Sequence, residues 1–164
     1  MATIKRDISI KSASFPASNF PQLKNVAGTN FPVYGLYFDA STEEKCYFEF
    51  KAIGYGSGNI TLNLQWYADS ASSGDVRWGA KLAAITPNTD SGNVESKSLA
   101  TQQTADDTHL GTTGQRLHEC SITISNLDSI ASGDAVWLEV SRPFLSGMTG
   151  DAVLTGVEIT YSDT

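Results

Sequence analysis

The scarcest reactive groups in the sequence are two histidines, His109 in "DDTHLGTTG" and His118 in "RLHECS". His118 and Cys120 stand two apart in an alternating run, so on a strand their side chains share one face. An imidazole beside a thiol raises two chemistries, a Cys–His nucleophile pair and half of a zinc site. The first needs a third group to orient the base. The second needs three or four ligands, and no Cys-x-x-Cys or His-x-x-x-His spacing occurs. The pattern therefore favours a packed thiol beside a strand histidine. His109 with Asp106 and Asp107 raises a metal site, but the polar Thr/Gly setting reads as a solvated loop. Asp69 with Asp75, or Asp106 with Asp107, raises glycoside hydrolysis, which takes two carboxylates across a cleft. These aspartates lie among Ser, Gly and Thr, where Asp caps turn N–H groups for ordinary reasons. No EF-hand pattern or Gly-rich phosphate loop is present. The expectation is a chain with no catalytic residue, no metal and no cofactor.

The elements that would position these groups are strands. "CYFEFKAI" alternates Cys46, Phe48 and Phe50 against Tyr47, Glu49 and Lys51. "NITLNLQWYA" does so with Ile60, Leu62, Leu64 and Trp66, and "DVRWGAKLAAI" with Val76, Trp78, Ala80 and Leu82. The same period runs through "HECSITIS", "AVWLEVSR" and "AVLTGVEITYS". Alternation of this kind marks half-buried antiparallel strands. With "TIKRDISIK" and "VYGLYFD", about eight strands are expected, separated by turn signals such as "GYGSG", "SSGD" and "ASGD". No 12-residue segment has a 3.6 period. The fold expected is an all-β antiparallel sandwich, a jelly roll. Trp66 and Trp78 fall in the core phase of their strands, so the loop between them reads as a hairpin joining two core strands.

Two stretches are not strand-like. Residues 12–33 hold Pro16, Pro21 and Pro32, each directly after a phenylalanine. Proline removes a ladder donor and fixes φ, so residues 1–33 are expected as an N-terminal strand and an extended arm, ahead of a sandwich over 34–164. Phe15, Phe20 and Phe31 would anchor that arm by burial. Residues 86–115 are polar, with at most one short strand, and long loops often carry contacts.

The chain's 164 residues can bury a core without staples. Its 18 acidic and 11 basic residues give −7, unevenly spread. Residues 1–24, with Lys5, Arg6, Lys11 and Lys24 against Asp7, carry +3, and the remainder −10. An acidic body argues against a nucleic-acid partner. No window resembles a membrane helix, and "MATIKRDISIKSAS" lacks the apolar core of a secretory signal, so folding in a cytoplasm is expected. Cys46 and Cys120 are expected buried and reduced, a disulfide being the alternative. Trp137 is out of phase with Val136, Leu138 and Val140, and Tyr47 with its neighbours, so both should face outward. An outward Trp suits a subunit contact, cover by the arm, or a sugar platform.

The runs "WYADSASSGDVRW", "GDAVWLEVSR" and "GDAVLTGVEITYS", within residues 36–162, resemble a family of small virion proteins of tailed bacteriophages. The resemblance implies a jelly-roll domain on the virion, as a capsid decoration (cement) protein or within tail or fibre proteins. It implies a homotrimer holding major capsid protein subunits together on the capsid exterior, with no catalytic residues. Under that reading the candidate contacts are Phe15, Phe20, Phe31, Lys5, Arg6, Lys11, Lys24, Trp137 and Tyr47. The alternative is a carbohydrate- or receptor-binding sandwich on a tail fibre or spike, for which Tyr55 and Tyr67 would join Trp137 and Tyr47.

Overall fold

The computed structural model describes residues 2–70, 73–145 and 147–164. Ten strands run through it in chain order: β1 (Thr3–Ile8), β2 (Gln22–Val26), β3 (Val33–Phe38), β4 (Glu44–Lys51), β5 (Ile60–Ala68), β6 (Asp75–Ile85), β7 (Gln103–Thr108), β8 (His118–Ile124), β9 (Ala135–Arg142) and β10 (Ala152–Ser162). They form two antiparallel sheets. Sheet A has the order β2-β3-β10-β5-β8, with β1 also on β10, and sheet B the order β4-β9-β6-β7. The inward positions of both sheets, among them Phe38, Phe48, Trp66, Trp78, Leu82 and Leu138, are fully buried and form one core. Phe38 meets Trp78 edge-on at 5.2 Å, the arrangement that ring quadrupoles favour.

One strand, β2, exceeds the sequence expectation, and another, β7, takes the place of the single short strand allowed within 86–115. β2 lies inside the Pro-rich stretch and pairs with β3, so that stretch is not wholly an extended arm. β7, "QTADDT", pairs with the edge of β6. Neither has a hydrophobic pattern, because an edge strand can form through backbone pairing alone. The connection between β5 and β6 is also corrected. It is not a hairpin, since β5 belongs to sheet A and β6 to sheet B. Alternation marks a buried face but not which sheet supplies it. Trp66 and Trp78 therefore meet across the core, 6.4 Å between ring centroids.

The two open sides of the sandwich are closed differently. On one, Gln103 of β7 donates to Ser125 Oγ at 2.5 Å and accepts from the Ser125 N–H at 2.6 Å, beside the end of β8. On the other, residues 9–21 cross from β1 over the edge of β4. Ser14 and Tyr47 exchange two backbone bonds of 2.9 Å, and the Lys45 N–H donates to the Asn19 carbonyl at 3.0 Å. The anchors of this crossing are Ile10 and Pro21, both buried. Phe15 and Phe20 pack on each other at 5.5 Å but stay 41% and 39% exposed, and Phe31 is 69% exposed. The expected phenylalanine anchors are thus not anchors, because backbone bonds to β4 already hold the segment.

Cys46 and Cys120 are free and buried, in different sheets. Burial pushes the Cys120 thiol up to about 12 and raises Cys46 as well, leaving both without the thiolate that reacts.

Candidate functional site

Strand alternation sends half of each sheet A strand away from the core. On this outer face Val153 pairs with Tyr37 on one side and with Tyr67 on the other, so the two tyrosines flank it in one row. Their hydroxyls meet at 3.3 Å above the sheet. Burial, then the hydrogen bond to Tyr67, pushes the Tyr37 phenol well up, so it stays a neutral donor. The Lys24 ammonium lies over the Tyr37 ring, 4.3 Å from its centroid.

Two loops rise beside this row and turn it into a groove of about 460 Å³. One wall is the β2–β3 turn, with Val26, Gly28, Phe31 and Val33. Gly28 takes φ of +63°, and the Phe31 carbonyl occupies the space a Cβ would need, so only glycine permits the turn that presents Phe31. The other wall is Asp69, Gln115 and Leu117. Gln115 Nε2 donates to the Asp69 carbonyl at 3.3 Å, which ties the β7–β8 loop to the end of β5. Thr155 completes the floor. The groove combines an exposed phenyl face with phenol, hydroxyl, carboxylate and amide groups. That mixture suits a ligand with apolar C–H faces and many hydroxyls.

The histidines stand behind the second wall. His109 is buried, contrary to the solvated loop expected for it, and packs 4.6 Å from His118, which stacks on Trp66 at 4.5 Å. The loop closes on its own imidazoles, a contact no local spacing signals. The Leu110 N–H donates to His118 Nε2 at 3.0 Å, so the His118 proton sits on Nδ1. The Gly111 N–H donates to His109 Nδ1 at 3.0 Å, and His109 Nε2 donates to the Gly114 carbonyl at 2.7 Å. These bonds give each ring one donor and acceptor arrangement. Burial, and then His109 nearby, pulls His118 below its ordinary 6.5. The unfolded chain therefore takes up this proton before the folded one does. Stability should be complete above about pH 6.5 and fall on acidification toward the folded pKa, with a slope approaching about 1.4 kcal/mol per pH unit. Urea midpoints at pH 7 and pH 5.5 check this, and His118→Gln should flatten the difference. An unchanged pH dependence in that variant would count against the assignment.

The remaining candidates do not share one surface. Trp137 and Tyr47 face outward as expected, but on sheet B. Trp137 Nε1 donates to Glu49 Oε1 at 2.9 Å, and the Tyr47 hydroxyl to Glu139 Oε2 at 2.8 Å. Residues Val94, Lys97 and Leu99 lie beside them. The basic N-terminal side chains are largely used within the chain. Lys5 lies 3.4 Å from Glu158, Arg6 donates to the Ile53 carbonyl at 3.1 Å, and Lys11 sits over the Tyr34 ring. Tyr55 donates to the Gly58 carbonyl at 2.7 Å. Three of the four carboxylates weighed for hydrolysis serve structural bonds: Asp106 accepts two from Arg77, Asp107 one from Trp66 Nε1 and Asp75 one from Thr108, while Asp69 lines the groove. Of the residues singled out in the sequence, Phe31, Lys24, Tyr67 and Asp69 gather at the groove. Tyr37 and Leu117 went unnoticed, although Tyr37 stands out of phase with Leu36 and Phe38 just as Trp137 does among its neighbours.

No family model matches the chain, and no curated protein matches it in sequence. Solved structures do match in shape. A family 28 carbohydrate-binding module specific for non-crystalline cellulose superposes with a TM-score of 0.53 at 12% identity, covering 90% of this chain and 86% of that one. The family 36 module of a multidomain xylanase from the hindgut metagenome of Trinervitermes trinervoides gives 0.51 at 12% identity, covering 95% and 96%. A family 35 carbohydrate-binding module from Clostridium thermocellum gives 0.50 at 16% identity, covering 95% and 97%. At these identities the likeness is one of fold, and the chain is an all-β jelly-roll sandwich of the kind found in carbohydrate-binding modules.

Proposed function

We propose that this sandwich binds a glycan in the groove between Phe31 and Leu117 on the outer face of sheet A. The carrying observation is the combination there: a 69% exposed phenyl ring facing a floor of two tyrosines, with Asp69, Gln115 and Thr155 at its margins. Stacking on the ring supplies apolar contact, and the margins supply directional bonds to hydroxyls. The structurally similar carbohydrate-binding modules add support by analogy of fold alone. An array of immobilised glycans should show retention. Phe31→Ala should weaken the strongest signal about tenfold or more, while changing the urea midpoint by no more than about 0.5 kcal/mol of stability. Undiminished binding by that variant would remove the groove from consideration.

A second reading, a trimeric cement protein on a phage capsid, is supported by the resemblance of residues 36–162 and by the exposed Phe15–Phe20 pair on the arm. Copy number per purified particle separates the two. Hundreds of copies favour cement, and a few dozen or fewer a tail-borne receptor binder.

A further inference from the structure

The groove does not end at Thr155. That residue also borders a wider opening of about 720 Å³, whose margins include Asp7, Lys11, Tyr34 and Gly156. The opening has a topological cause. One edge of β10 pairs with β3 at Ala152–Leu154 and with β1 from Val157 onward, so β1 and β3 lie end to end with a gap between them. β10 bulges at this gap, between Leu154 and Gly156. Gly156 lines the opening without a side chain. Asp7, Gln65 and Gly156 then continue into a small hollow of about 80 Å³ beside Asn63, Glu119 and Glu158. The three depressions adjoin through these shared residues, a trough in outline that follows β5 and β10. From Tyr67 to Asn63 is four strand residues, about 13 Å, longer than a single sugar ring needs.

The far end of the trough differs from the Phe31 end in charge. Glu158 is engaged by Asn63 Nδ2 at 3.0 Å and Lys5 at 3.4 Å. Asp7 and Glu119 are exposed. A polyanion would meet these carboxylates as it advanced, whereas hydroxyl groups would find acceptors. We propose that the ligand is an extended, uncharged oligosaccharide that lies along β5 and β10, with one end at Phe31 and the other at Asp7 and Glu119. This rests on the glycan reading of the groove and adds the length, direction and charge of what it takes.

The test is calorimetry with xylo- and cello-oligosaccharides of two to six units, beside oligogalacturonides of the same lengths. Affinity for the neutral series should rise about tenfold or more between two and five units. The double variant Asp7→Asn, Glu119→Gln should weaken the long members several-fold and leave the shortest unchanged. Its side chains are exposed and isosteric with the originals, so folding is not at stake. Binding that is flat with length, or tighter for the galacturonides, would overturn the extended neutral chain while leaving the glycan reading intact. Silence across all three series, with retention elsewhere on the glycan array, would overturn it in the same way. Silence in both experiments would remove both.

Discussion

Arg142→Met should lower the stability of the sandwich by about 3–5 kcal/mol. Arg142 is 4% exposed and closes the end of β9 against the loop that leads to β10. Its Nη1 donates to the Phe38 carbonyl at 2.9 Å and to the Gly150 carbonyl at 3.0 Å, and Nη2 to the Met148 carbonyl at 3.1 Å. One planar group thus satisfies carbonyls from β3 and from the loop before β10. Burial pulls the guanidinium below its ordinary pKa, while Asp151, Asp39 and Glu44 oppose that pull. A methionine of similar reach keeps the apolar contacts and strands three carbonyls in a dry site. Lysine keeps the charge but lacks the fork, so Arg142→Lys should recover less than half of the loss. Urea denaturation gives both values, and a loss under about 1 kcal/mol for methionine would show that the latch is dispensable.

The second large effect is expected at Trp66. Its ring is fully buried, stacks on His118 and lies near Trp78. Its Nε1 donates to Asp107 Oδ2 at 2.8 Å, a bond from sheet A to sheet B that fixes the edge strand β7. Trp66→Ala should cost about 3–5 kcal/mol through the cavity and the orphaned carboxylate. Trp66→Phe keeps an aromatic ring and loses the donor, so about 2 kcal/mol is expected. Hydrogen exchange separates the contributions. In the phenylalanine variant the β7 amides should lose protection before those of β5. Equal loss in both strands would mean that the indole N–H does not hold β7.

These two positions also show what the sequence discloses. The motif "WYADSASSGDVRW" announces Trp66 as a core residue, because its phase matches Ile60, Leu62 and Leu64. The partner across the core was not legible, since a two-residue period is the same whichever sheet a strand joins. Arg142 continues the inward phase of Val136, Leu138 and Val140, but nothing local signals the Phe38, Met148 and Gly150 carbonyls that receive its guanidinium. The groove was half legible. Tyr37, Tyr67 and Trp137 all stand out of phase with buried neighbours, yet period alone cannot tell that the first two share a face and the third lies on the other sheet. The burial of His109 is not legible because it depends on packing against His118 and the edge of Trp66, which loop polarity does not encode. β2 is not legible, and β7 only as one short strand somewhere within 86–115, for the related reason that an edge strand needs backbone partners rather than an apolar stripe.

The place of β10 in sheet A carries a consequence for synthesis. It is the tenth strand in chain order, yet it lies in the interior of the sheet, bonded to β1, β3 and β5. While the chain emerges from a ribosome, β5 can pair only with β8, and β1 and β3 have no common neighbour to join them. Sheet A cannot assemble until residues 152–162 are free, and its closure links the first strand to the last. Folding should therefore wait on β10 in its decisive step and be slow for its size, as non-local strand pairing dictates. A nascent chain stalled before residue 152 would present the backbone edges of β3 and β5 unpaired, the state most open to capture by chaperones or to aggregation.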